Sequence, residues 1–120
     1  MLDLSEYPSI GAALKDALDR FAAELCLIEA DREREKERLT YHDFKARAHR
    51  LAQAFEDAGF SAGDRASIIM TNQSKWLISA YALFYCGATM VPLDYKLKPD
   101  EQWQLLKHSS ASVLLSLIHI

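Results

Sequence analysis

Two glycines four residues apart, Gly59 and Gly63, precede an apolar run and could form a phosphate-binding loop. Such a loop follows a strand and precedes a helix, so that backbone N–H groups at the helix N-terminus face the anion. Here the glycines come before the expected strand 65–70, and the carboxylate of Asp64 would repel phosphate. No third glycine completes a dinucleotide fingerprint. We therefore predict that Gly59 ends a helix in the left-handed conformation and that Gly63 and Asp64 form a turn.

The histidines and cysteines are not spaced as in a catalytic or metal site. His42 and His49 lie on one expected helix, and both are predicted to be solvated and to lack a second ligand at metal-binding spacing. Cys26 and Cys86 stand in separate apolar runs, which indicates buried free thiols rather than a disulfide or a zinc site. The spacing of these histidines and cysteines therefore suggests neither a catalytic nor a metal-binding role for them.

Length and composition favour one small globular domain or a piece of a larger one. The chain has 120 residues, is 50% hydrophobic and carries a net charge of −3. Both charge signs are interspersed, so neither a nucleic acid nor an anionic membrane is an expected partner. The first residues do not resemble a signal peptide, and the apolar run 76–86 is shorter than the roughly 20 residues that span a bilayer. We predict a cytoplasmic protein without a transmembrane segment.

The first part of the chain must form a helix followed by a hairpin. Ser9 is a predicted N-cap, and apolar residues recur at helical spacing over 10–25. The short apolar run 25–30 predicts a strand. The alternating charges of 31–38 predict the exposed tip of a hairpin, with 37–40 as the returning strand.

A second amphipathic helix is expected from Thr40 to Gly59. Thr40 and Asp43 have the spacing of a capping box, and Leu39 can pack on Phe44 as a hydrophobic staple. The predicted buried face of this helix consists of Phe44, Ala48, Leu51, Ala52 and Phe55.

The second half of the chain alternates strands and helices. Strand 65–70 precedes a helix capped by Asn72, whose aromatic residues are predicted to pack in the core before Gly87 ends it. Strand 88–93, a helix starting at Pro99 and a buried strand from residue 112 follow. This order predicts an α/β fold with a mostly parallel sheet, right-handed crossovers and helices on its faces, plus the charged hairpin.

Three segments in sequence resemble the N-terminal region of the adenylate-forming superfamily, which includes acyl-CoA synthetases, peptide-synthetase adenylation domains and luciferases. "LTYHDF", residues 39–44, is similar to the first core motif L-T-Y-x-E-L, although Asp43 replaces Glu and Phe44 replaces Leu. Residues 62–94 match a glycine–aspartate turn, a strand, an asparagine, a long helix and G-A-x-x-x-P-L-D, and "FYCGATMVPLD" corresponds to the second core motif. The resemblance covers about Leu4 to Leu115, and it implies that residues 1–116 are the N-terminal part of an AMP-dependent synthetase domain.

The resemblance also implies an activity for the full-length parent. Family members activate a carboxylic acid with MgATP, forming acyl-AMP and pyrophosphate, and then transfer the acyl group to the thiol of coenzyme A or of a carrier. ATP, magnesium and coenzyme A are therefore the implied cofactors, and a small carboxylic acid is the implied substrate. In relatives the phosphate loop ending in Pro-Lys-Gly, the adenine-contacting aromatic motif, the ribose-binding Asp and the catalytic Lys lie downstream. The resemblance therefore implies no catalytic, cofactor-binding or metal-binding residue in this chain, and we expect the chain alone to be inactive.

Three functions follow as alternatives. The first is a fragment of an AMP-forming acid–CoA ligase, and the segment 91–102 favours fatty acids. The second is a fragment of a peptide-synthetase adenylation domain, and the third is a non-catalytic α/β binding module. A fragment predicts exposed apolar surface and unpaired strand edges. The apolar ending departs from family sequence, so residues 117–120 are interpreted as a non-native tail resembling a translated sequencing adaptor.

Overall fold

A computed structural model describes residues 3–117 and confirms the α/β class. After a short 3-10 turn at Leu4–Glu6 come α1 (Ile10–Arg20), β1 (Leu25–Asp31), β2 (Arg34–Thr40), α2 (Tyr41–Asp57), β3 (Arg65–Met70), α3 (Ser74–Tyr85), β4 (Thr89–Pro92), α4 (Pro99–Ser109) and β5 (Val113–Leu117). Residues 118–120 of the predicted tail lie outside the described residues. None of the described helices has both the length and the apolar character needed to cross a membrane.

The three strands of the second half form the predicted parallel sheet. Their order is β4-β3-β5, with β3 in the centre, and Ala66 pairs with Met90 on one side and Val113 on the other. Because crossovers between parallel strands are right-handed, the reversal of direction at β4 is expected to place α3 and α4 on opposite faces of this sheet. Along β3, Ala66 and Ile68 belong to the main apolar core, whereas side-chain alternation turns Ser67 to the other face. The order of strands and helices therefore sets the topology.

The charged segment forms most of a strand rather than only a hairpin tip. β1 and β2 are antiparallel, and the turn is limited to Arg32 and Glu33, with Arg32 at a φ of 57°. The prediction of a returning strand is confirmed, but that strand begins at Arg34, three residues before its expected start. Alternation puts Glu37 on the same side as Leu39, which is buried, so the charged strand has an inward face.

α2 begins and ends as its sequence predicts. Thr40 Oγ1 accepts the N–H of Asp43 and the Asp43 carboxylate accepts the N–H of Thr40, which completes the capping box. At the other end Gly59 has a φ of 88°, and the N–H of Phe60 reaches the carbonyl of Phe55. The two phenylalanine rings lie 5.7 Å apart, which supplies the apolar contact typical of this helix end. The predicted inward face is confirmed, with Leu51 only partly buried.

α1 is shorter than its apolar pattern predicts. Ser9 caps it, but the helix ends at Arg20, and a turn over 21–24 precedes the pairing of Leu25 with Thr40 in the hairpin. Gly11 lies directly against the α3 backbone: a Cβ there would be 2.9 Å from the carbonyl carbon of Phe84 and nearer still to its oxygen. This glycine allows α1 and α3 to approach closely.

β5 corrects the prediction of a buried final strand. Leu114 is 47% exposed, and Val113 is only partly buried. β5 is an edge strand that pairs with β3 alone among residues 3–117. Val113 and Leu115 pack against the core, whereas Leu114 lies on the opposite face. The exposed apolar surface and unpaired strand edges expected from the sequence are present in the described part of the chain.

Candidate functional site

The carboxyl end of β3 is where this fold would place a ligand. In open parallel α/β sheets, ligands bind outside the carboxyl ends of the strands. From this end the chain passes through residues 71–73 into the N-terminus of α3. A phosphate would have its best position there, since the first N–H groups of a helix have no partner inside the helix.

The N-terminus of α3 is already occupied by a carboxylate of the hairpin. The backbone N–H of Ser74 donates to Glu29 Oε1 at 2.9 Å, and Ser74 Oγ bonds to Glu37 Oε2 at 3.1 Å. Arg47 of α2 forms an ion pair with Glu37. Ser74 is only 4% exposed, so this contact is largely withdrawn from water. An anionic phosphate at this helix start would have to displace Glu29 and would face two negative charges.

The expected cap of α3 is therefore wrong. The N-cap residue is Gln73 rather than Asn72, and it makes no side-chain cap hydrogen bond. The glutamate that meets the first helical N–H, Glu29, lies 45 residues earlier in the chain. Local sequence around Asn72 gives no indication of such a distant partner.

The glycines have the structural roles predicted for them. Gly63 has a φ of 88°, and Asp64 closes the turn by accepting the N–H of Ser61. Gly87 has a φ of 74° and follows α3 as Gly59 follows α2, with the next N–H bonded back to Leu83. These glycines follow helices or precede a strand, so none begins a phosphate-binding helix.

His49 is not solvated as predicted. It lies half-buried between α2 and α3, with its ring stacked on Tyr85 at a centroid distance of 4.3 Å and Nε2 3.1 Å from the hydroxyl of Tyr81. Burial lowers the pKa of His49, and the charges of Lys45 and Lys15 lower it further. Burial also raises the pKa of Tyr81. The result is a neutral imidazole held by a neutral phenol, which is a packing contact between helices. His42 is exposed, as expected.

The thiols are poorly suited to nucleophilic chemistry. Cys26 and Cys86 are both free, and they are partly rather than fully buried, which corrects the prediction of buried thiols. Burial raises the pKa of each, and Glu56 adds to the effect at Cys86. Because the thiolate is the reactive form, both groups are less reactive than an ordinary cysteine.

Across residues 3–117, the His, Cys, Asp and Glu side chains do not form a group of three or more that could hold a metal ion. At the start of α3, the Glu29 carboxylate that already accepts the N–H of Ser74 does not fit a phosphate of MgATP. The predicted site list, which assigns no residue to catalysis or cofactor binding, stays a prediction.

Comparison with known proteins relates both the sequence and the fold to one family. The family model described as AMP-binding enzyme matches residues 14–119. A feruloyl-CoA synthase from Amycolatopsis is 36% identical over 77 residues, which are 64% of this chain and 16% of that protein. The chain thus spans about one sixth of the length of this curated relative.

Two solved structures share the fold. The N-terminal subdomain of NpsA from Klebsiella oxytoca superposes with a TM-score of 0.79 at 21% identity, covering 90% of this chain and 27% of that one. O-succinylbenzoate coenzyme A synthetase from Bacillus subtilis, in complex with ATP and a magnesium ion, gives a TM-score of 0.77 at 24% identity, covering 86% and 27%.

Proposed function

Because the chain belongs to the family of AMP-binding enzymes, we propose that it is the N-terminal part of an AMP-forming carboxylic acid–CoA ligase. The family comprises adenylate-forming enzymes, among them acyl-CoA ligases and peptide-synthetase adenylation domains. The observation that carries the proposal is the family match over residues 14–119. The parent would make acyl-AMP from ATP and a carboxylic acid, and then acyl-CoA. The proposed domain comprises residues 1–116 of this chain.

The role proposed for the described residues is scaffolding. The glycines end helices or form a turn, His49 packs between helices, and Glu29 occupies the helix start nearest the carboxyl edge of the sheet. ATP, magnesium and coenzyme A would bind through other parts of the parent protein. This chain by itself would bind MgATP weakly or not at all and would not activate any acid.

An ATP–pyrophosphate exchange assay tests the proposal that this chain by itself does not activate an acid. The 120-residue chain is incubated with MgATP, labelled pyrophosphate and a panel of fatty, aromatic and amino acids, beside a reaction without protein. We expect equal label incorporation in both. Acid-dependent exchange above the protein-free reaction would show that catalytic groups lie within these residues and would refute the scaffolding role.

The genomic sequence beyond codon 120 tests the proposal that the chain is the N-terminal part of a ligase. A ligase predicts a downstream Ser/Thr/Gly-rich loop ending in Pro-Lys-Gly, whereas a stop codon at that point would contradict the proposal. The full-length product is then assayed with the same acids, coenzyme A being the acceptor. Fatty acyl-CoA formation is the expected result, because segment 91–102 favours fatty acids. Exchange limited to amino acids would favour the peptide-synthetase class instead.

We also propose that the parent acts in the cytoplasm, where both of its co-substrates, ATP and coenzyme A, are available. Cell fractionation with an antibody to the full-length product tests this, and recovery in a secreted or membrane fraction would contradict it.

A further inference from the structure

Two like charges face each other on the inner side of the hairpin. Glu29 and Glu37 are paired directly across β1 and β2. Like charges at directly opposed positions of an antiparallel pair destabilise it. Both carboxylates are nevertheless turned toward one residue, Ser74, and Arg47 adds a positive charge beside Glu37. The compensation for this repulsion therefore comes from α2 and α3, outside the hairpin.

The first N–H groups of α3 need hydrogen-bond acceptors from outside the helix. The first N–H groups of a helix require acceptors and carry a partial positive charge. Gln73 provides no side-chain cap hydrogen bond, and the first turn of α3 contains no acidic residue. Glu29 supplies the acceptor for the N–H of Ser74, and Glu37 binds the hydroxyl of the same residue.

We propose that the two inward carboxylates of the hairpin, Glu29 and Glu37, serve as the cap of α3, and that their docking and the ordering of the first turn of α3 form one coupled step. Without docking, Glu29 and Glu37 repel each other with no counter-charge, and the N–H of Ser74 loses its acceptor. When the carboxylates are docked, Ser74 and Arg47 offset the repulsion between them, and Glu29 supplies the acceptor for the N–H of Ser74. Because the inner side of the hairpin and the first turn of α3 stabilise each other, we expect the two to open together.

This coupling connects the hairpin to the edge of the parallel sheet. The first turn of α3 is joined to the carboxyl end of β3 by residues 71–73 only. Release of the two carboxylates from Ser74 therefore frees this connection at the edge where parallel α/β sheets bind ligands. By binding Ser74, Glu29 of the hairpin holds residues 71–73 in one conformation.

Hydrogen exchange of the 120-residue chain tests the proposal. Exchange rates are measured for amides 25–40 and 74–78, with amides 99–109 of α4 as an internal reference. The variants are Glu29→Gln, Glu37→Gln and Ser74→Ala. The matched control is Glu33→Gln, which removes an exposed glutamate from the turn of the same hairpin.

Each of the three variants is expected to accelerate exchange about tenfold in both segments, because a charge-assisted hydrogen bond is lost. The double variant Glu37→Gln with Ser74→Ala should show no more acceleration than Glu37→Gln alone, since Glu37→Gln already removes the Ser74 contact together with the Arg47 ion pair. Glu33→Gln and the α4 amides should stay within about twofold of the unmodified chain. Acceleration of one segment without the other, an equal effect of Glu33→Gln, or no protection of either segment in the unmodified chain would overturn the proposal.

Discussion

Replacing Gly11 by alanine tests the close approach of α1 to α3. Ordinary carbon–carbon contacts lie at about 3.5–4.0 Å. The added Cβ would lie 2.9 Å from the Phe84 carbonyl carbon and 3.1 Å from Tyr85 Cα. Both are backbone atoms, so the clash cannot be relieved by a side-chain rotation. One helix must shift by roughly 0.5–1 Å to restore normal contact.

Two opposing effects decide the size of the change. Alanine is favoured over glycine inside a helix by about 1 kcal/mol, whereas overpacking a well-packed core costs about 1–3 kcal/mol or more. Because the backbone itself must move, the clash is expected to cost about 2–3 kcal/mol, the upper part of this range, and Gly11→Ala should lower the free energy of unfolding by about 1–2 kcal/mol net.

Urea unfolding followed by far-UV circular dichroism measures this difference. The control is Ala12→Gly, one position along the same helix, which removes a methyl group instead of adding one and is expected to cost about 1 kcal/mol through helix propensity. A Gly11→Ala protein that is as stable as the parent, or more stable, would show that the two helices do not lie this close.

Three further substitutions address other features. Ser67 is fully buried and its Oγ has no hydrogen-bond partner among residues 3–117; Ser67→Ala should raise the urea midpoint, by about 1 kcal/mol in stability, and a lower midpoint would reveal a hidden partner. Thr40→Ala removes the cap of α2 and should cost about 1 kcal/mol, whereas Thr40→Ser should keep most of the stability in the same assay. The pKa of His49 is lowered in the folded chain, so the unfolded chain binds more protons as the pH falls through the ordinary histidine pKa of about 6.5. The free energy of unfolding therefore decreases as the pH decreases through this range. His49→Gln should flatten the stability profile between about pH 7.5 and 5.5, and an unchanged slope would contradict this origin.

Much of the fold was predictable because its signals are local. Thr40 with Asp43 starts α2, and Gly59 ends it through contacts within six residues of each other. Pro99 likewise starts α4 with acidic residues in the first turn. Alternation of such elements then limits the topology to a parallel sheet with right-handed crossovers. None of these features depends on a residue far away in the sequence.

The errors arose where tertiary contacts determine a residue's environment. His49 borders the buried face of α2, next to Ala48, and only the position of α3 decides that Tyr85 covers it. Glu29 has the same parity in β1 as Leu27, which is a weak sign that it faces inward. Nothing local connects Glu29 to Ser74, since the two are brought together by the packing of the hairpin on α3.

The central position of β3 has a consequence for synthesis on the ribosome. β3 emerges before both of its neighbours. The carbonyl of Arg65 lacks its hydrogen-bond donor until Ser112, 47 residues later, has been synthesised. At about 5–20 residues per second, this interval lasts roughly 2–10 s. During that time the apolar segment 66–70 has one incomplete hydrogen-bonding edge, which makes the nascent chain a substrate for chaperones that bind extended apolar peptides.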